Sequence, residues 1–119
     1  MSEDFDELTP FDLSKLESKY DDAPDVLEEI ISIFRDEAPQ RLELLNSGVR
    51  DGDAAQVQKA AHSLANTTGT LMAERALALA RATEASARAA DYELMSDRAQ
   101  ELAAEVSRIL EQMEARHTG

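Results

Sequence analysis

The only histidine set inside a patterned stretch is His62, in AAHSLANTTGTL over residues 60–71. An imidazole can serve as nucleophile, proton carrier or metal ligand, and each role requires different neighbours. A di-iron helical site needs Glu-x-x-His on two helices, and residue 59, three before His62, is a lysine. Glu114 and His117 have that spacing once, at the end of the chain, where fraying is common. A Ser-His-Asp hydrolase would show a G-x-S-x-G elbow, and a phosphate loop would show clustered glycines; neither occurs. The absence of cysteine excludes thiolate metal sites and disulfides and leaves the redox compartment open. No metal site and no cofactor is expected. What remains is a lone imidazole without self-contained catalytic machinery.

Its direction follows from helical geometry. At about 100° per residue, Val57, Ala61, Leu64 and Thr68 gather within about 40° and form a buried stripe. His62 lies roughly 140° from Val57 on that wheel and should face water. Its neighbours at three, four and seven residues are Ala55, Gln58, Lys59, Ala65, Asn66 and Gly69. Four of these are short, so the ring should stand above a low, nearly flat patch. Small ligands need concavity; a flat patch suits the active site of another protein.

The elements that carry this patch read as all-α. Helix formers dominate, and no alternating pattern of useful length appears. Residues 1–10 hold Glu3, Asp4, Asp6 and Glu7 with little to bury and read as a mobile acidic arm. A short helix follows Pro10, using Phe11, Leu13, Leu16 and Tyr20, and stops near Asp21–Pro24. The first long helix spans about Pro24 to Val49 on the stripe Leu27, Ile30, Ile31, Phe34, Ala38, Leu42, Leu45 and Val49. Pro39 should kink it without ending it, because the stripe resumes in phase. Gly52 closes a turn, and Asp53 with Gln56 forms a capping-box pattern that starts a second helix running to about Thr70. A third, half alanine, spans about Ala73 to Ala90, with Arg81, Glu84 and Arg88 as its solvated face. A fourth runs from about Tyr92 to Ala115 and buries Met95, Leu102, Val106, Ile109 and Met113. Short connections imply antiparallel neighbours. The expected fold is an antiparallel four-helix bundle over 11–115 with a short N-terminal capping helix and a frayed tail over 116–119.

Composition narrows the partners. The 119 residues suffice for one domain, and the 43% apolar content fits a globular one. A formal charge of −13 repels nucleic-acid phosphates and anionic membranes and favours basic protein surfaces. No apolar run approaches ~18 residues, and the acidic start MSEDFDEL is unlike a signal peptide. The expectation is a cytoplasmic monomer that binds neither DNA nor membrane.

The ordered set Phe34, Ala38–Pro39, Leu42, Leu45, Gly52–Asp53 and Ala61–His62 with Leu64, followed by Leu71 and Ala73, resembles the histidine-containing phosphotransfer (HPt) domains of bacterial and plant phosphorelays. The resemblance extends over about Leu13 to Met113. It implies that His62 takes a phosphoryl group from an aspartate of a response-regulator receiver domain and passes it to another. A hybrid sensor histidine kinase stands upstream, and Mg²⁺ is expected on the receiver only. The chain would be a phosphohistidine carrier rather than an enzyme, with a docking surface over Ala55, Gln58, Lys59, Ala65, Asn66 and Gly69. Where the family commonly has Lys-Gly after His-x-Leu, this chain has Ala65 and Asn66, which removes a positive charge and fills some of the partner's room. Lys59 is a possible substitute for that charge, and Gln58 or Asn66 a possible hydrogen-bond partner of the ring. Two other readings stay open: a module of the same fold that sequesters a response regulator without accepting phosphate, and an unrelated helical adaptor.

Overall fold

The computed structural model describes residues 5–118. They form a 3₁₀ turn over Phe5–Glu7 and five helices: α1 (Leu13–Lys19), α2 (Pro24–Asp51), α3 (Ala54–Thr70), α4 (Glu74–Arg88) and α5 (Tyr92–Thr118). There is no strand among the described residues. The long helices lie within about two residues of their expected ends, except that α5 continues past Ala115. α2 packs on α3 and α5, and α4 packs on α3 and α5, so the four long helices close a ring around one core. Leu16, Leu45, Val57, Ala61, Leu64, Leu102, Val106 and Ile109 are completely buried in it.

Each junction is built from local chemistry. Pro24 opens α2 in its first turn, where an N–H has no intrahelical acceptor to lose. The helix runs through Pro39 unbroken. α2, α3 and α4 all end in the same way, with a residue in the left-handed conformation whose N–H, together with the next one, bonds back to the last turn. The residues are Gly52, Met72 and Ala90, and their successors Asp53, Ala73 and Asp91 donate to the carbonyls of Gly48, Thr68 and Ser86. Only Gly52 is a glycine; the other two carry a side chain in that conformation. Gly48, on the last turn of α2, lies against α3 so closely that a Cβ would meet Val57 Cγ2 at 2.8 Å.

The α3–α4 contact is the most extensive in the fold. Small buried residues make it close: Ala61, Ala65 and Thr68 on α3, and Ala76, Ala80, Thr83 and Ala87 on α4. The hydroxyls of Thr68 and Thr83 donate to the carbonyls of Leu64 and Leu79 at 2.7 Å, so neither is left unpaired in the apolar seam.

At both chain ends the described residues make contacts with the bundle. Phe5 is buried, and the Arg98 guanidinium sits 4.9 Å above its ring. Arg75 donates to the carbonyl oxygens of Phe5, Asp6 and Leu8, and its own N–H donates to that of Thr9. The acidic arm read over 1–10 is therefore docked on the bundle from Phe5 onward, while Glu3 and Asp4 lie outside the described residues. The contact runs through the segment's one aromatic ring rather than through its carboxylates. At the other end, Arg116 binds Glu17 of α1 at 2.8 Å and Glu28 of α2 at 2.6 Å. These hydrogen bonds, Glu17 first, raise its pKa above the ordinary arginine value. Arg116 ties three helices together where fraying was expected; the side chain of His117, and with it the Glu114–His117 pair, lies outside the described residues.

Candidate functional site

Asp53 starts α3 as its N-cap, its carboxylate accepting the Gln56 N–H at 3.1 Å. The reciprocal half of the expected capping box is missing, because the Gln56 side chain turns to α2 instead. There it donates to the Leu44 carbonyl at 2.8 Å and bonds Ser47 Oγ at 2.6 Å. The start of α3 is thereby fixed both along its axis and against its neighbour. From this start Val57, Ala61, Leu64 and Thr68 fall in the core, and His62 emerges with 63% of its side chain exposed.

The ring has a partner on α4. His62 Nδ1 lies 3.0 Å from Glu84 Oε2. An ionised carboxylate can only accept, so Nδ1 carries the proton and the Nε2 lone pair is left for chemistry. Arg88, one turn on from Glu84, reaches the same Oε2 at 3.3 Å. Glu84 is only 16% exposed, so it is held in the α3–α4 seam rather than on the solvated face expected with Arg81 and Arg88. Neither Gln58 nor Asn66 bonds the imidazole among the described residues. Glu84 was out of reach of the sequence reading: its link to His62 spans 22 residues and depends on how closely two alanine-rich helices pack. The one local signal was the i,i+4 spacing of Glu84 and Arg88.

The expected docking residues divide. Ala55, Lys59, Asn66 and Gly69 are exposed and Gln58 is half-buried, so these five share the surface of α3 with His62. Ala65 does not join them: it is 7% exposed and packs into the alanine seam. A single-helix wheel does not contain the neighbouring helices, which cover this position three residues after His62. The surface is also less flat than expected. Between α2 and the first half of α3 a groove runs along Arg41, Leu44, Ala55, Lys59 and Ser63, with Arg41 Nε donating to Ser63 Oγ at 2.9 Å. A second groove between the same two helices, nearer the end of α3, is apolar and lined by Ile30, Ile33, Phe34, Asn66, Thr67 and Thr70, with Ile33 47% exposed.

No group of three His, Asp or Glu side chains is placed to hold a metal ion among the described residues, and none of their helices is long and apolar enough to cross a membrane. No curated protein and no solved structure matches the chain. A family model for the Hpt domain matches residues 29–114, which takes in most of α2, all of α3 and α4, and α5 as far as Glu114. Hpt domains are helical carriers in histidine-phosphotransfer relays that work with receiver domains and kinases. With an exposed histidine on α3, the second helix of the four-helix ring, and a match over more than half its length, the chain belongs to the Hpt domain family.

Proposed function

We propose that His62 is the phosphoryl-accepting group of this Hpt domain, taking the group from the phosphoaspartate of one receiver domain and giving it to another. The observation that carries this reading is the His62–Glu84 hydrogen bond on an exposed ring. Neutral imidazole attacks through Nε2; the Nε2–P bond forms as the P–O bond to the aspartyl carboxylate breaks, with its electron pair left on the carboxylate. The ring becomes a cation, and Glu84 faces the Nδ1–H that carries its charge. Phosphoryl transfer requires chiefly in-line positioning and charge neutralisation. The helix supplies a rigid nucleophile; the receiver supplies Mg²⁺ and the rest.

The partner docks over Ala55, Gln58, Lys59, Asn66 and Gly69, with Ala65 beneath rather than within the contact. The four long helices are taken as an antiparallel bundle with α1 as its cap, since each connection between them is short. The domain acts as a cytoplasmic monomer. Incubation with a radiolabelled, phosphorylated receiver should give a label that is acid-labile, base-stable and lost in His62→Gln. A chain that binds the receiver yet takes no label would be a sequestering module, and the carrier reading would fall.

A further inference from the structure

The charges around His62 do not balance once a phosphoryl group is attached. A phosphoryl group brings a charge of roughly −1.5 to −2. Glu84 already places a carboxylate 3.0 Å from the other ring nitrogen, and the chain as a whole carries −13. Position 65, three residues on along α3, is an alanine buried in the helix seam and supplies nothing. Lys59 lies on the flank of α3 that faces α2, in the groove with Arg41. The guanidinium tied to the imidazole is on α4: Arg88 shares Glu84 Oε2 with His62 Nδ1.

We propose that Arg88 is the positioning residue of the His62 site, holding the Glu84 carboxylate against Nδ1 and lending its positive charge to the phosphorylated ring. The reading rests on His62 as the phosphoryl acceptor. Arg88 sits at i+4 from Glu84, the spacing at which a glutamate–arginine pair closes on a helix surface. Its side chain is 63% exposed, so the guanidinium reorients without disturbing the core. When Nε2 gains phosphorus, the ring cation, the phosphoryl dianion and Glu84 sum to about −2, and Arg88 halves that.

The test uses the whole chain and two phosphoryl donors. Phosphoramidate charges imidazole without a partner: the Nε2–P bond forms, the P–N bond of the donor breaks, and ammonia leaves. Phosphohistidine lifetime and its ³¹P shift are read on the parent, Arg88→Gln, Arg88→Lys and Arg50→Gln. The last is a control with the same loss of charge, made at a site 72% exposed on another helix. Rapid-quench transfer from a phosphorylated receiver is then measured on the same four proteins. Arg88→Gln should shift the ³¹P signal and slow transfer roughly two- to five-fold, the range of an exposed pair. Arg88→Lys should recover most of that rate, and raising the salt to about 1 M should narrow the gap. Equal melting curves for parent and Arg88→Gln exclude loss of fold. If Arg88→Gln behaves as the parent, or only as Arg50→Gln does, Arg88 has no such role while the carrier reading stands. If the chain is charged by phosphoramidate with the Arg88 effects intact but exchanges nothing with a receiver, the carrier reading fails and the Arg88 assignment holds. A parent that takes no phosphoryl group from either donor overturns both.

Discussion

As the proposed phosphoryl acceptor, His62 requires one nitrogen with a free lone pair, and a carboxylate of Glu84 3.0 Å from Nδ1 leaves that lone pair on Nε2. A glutamine at position 84 keeps the size of the side chain but can donate as well as accept. Its oxygen can accept from Nδ1–H or its amide can donate to Nδ1, and the second arrangement puts the proton on Nε2 and leaves no lone pair there to attack phosphorus. Glu84→Gln should therefore accept phosphoryl groups roughly two- to five-fold more slowly, since the pair is partly exposed and worth ~0.2–1 kcal/mol. Rapid-quench kinetics, with circular dichroism to confirm folding, measures this. A rate equal to the parent's would mean that the ring is oriented by the receiver and not by α4. Ala65 shows the limit of reading one helix alone. Its place beside His62 in sequence is real, but a lysine there would start inside the seam and would have to climb out past α4.

At the level of elements, the position of α3 against α2 decides where His62 emerges. Gly48 permits that approach. A methyl group at position 48 would meet Val57 Cγ2 at 2.8 Å, the Val57 N at 3.2 Å and the Asp53 carbonyl at 3.3 Å. Val57 is fully buried and branched at Cβ, so it has little freedom to yield. Overpacking costs about 1–3 kcal/mol, while exchanging glycine for alanine within a helix returns about 1 kcal/mol. The net expectation for Gly48→Ala is a loss of about 1 kcal/mol, read as a lower urea midpoint with an unchanged slope. A gain in stability would show that the α2–α3 seam opens more readily than its contacts suggest.

Across the whole molecule, distant segments are joined by a few arginines. Arg75 links the N-terminal segment to α4 and reaches Glu105 of α5 at 3.5 Å, where Arg108 also bonds that carboxylate. Glu105 is 5% exposed, so the arginines are what make its charge tolerable there. Arg75→Met would keep the buried stem and remove the charge and three bonds to carbonyl oxygens. Orphaning a buried charge costs about 3–5 kcal/mol; with Arg108 still in place, a loss of ~2 kcal/mol is expected. Hydrogen exchange should quicken first over residues 5–9, ahead of the α3–α4 core. Uniform protection in the variant would mean that Phe5 alone, under Arg98, holds the segment down.

The apolar spacing along the chain determined by itself that this protein is helical, where its long helices begin and end, and that His62 faces outward. Helical periodicity is a local property, and the burial of Val57, Ala61, Leu64 and Thr68 follows from their steps of three and four. The ordered set around Ala38–Pro39, Gly52–Asp53 and Ala61–His62 likewise pointed to the family. Tertiary structure alone decided the rest. Glu84, with Arg88 bonded to it, meets His62 only because α3 and α4 pack closely, and the distance between two helices is not written in either helix's period. Packing between helices also removed Ala65 from the surface, and the α2–α3 contact sent Gln56 to α2 instead of back to its own cap. The contacts of Phe5 and Arg116 were likewise set by tertiary structure, since a single aromatic ring and a single guanidinium meet partners up to 99 residues away.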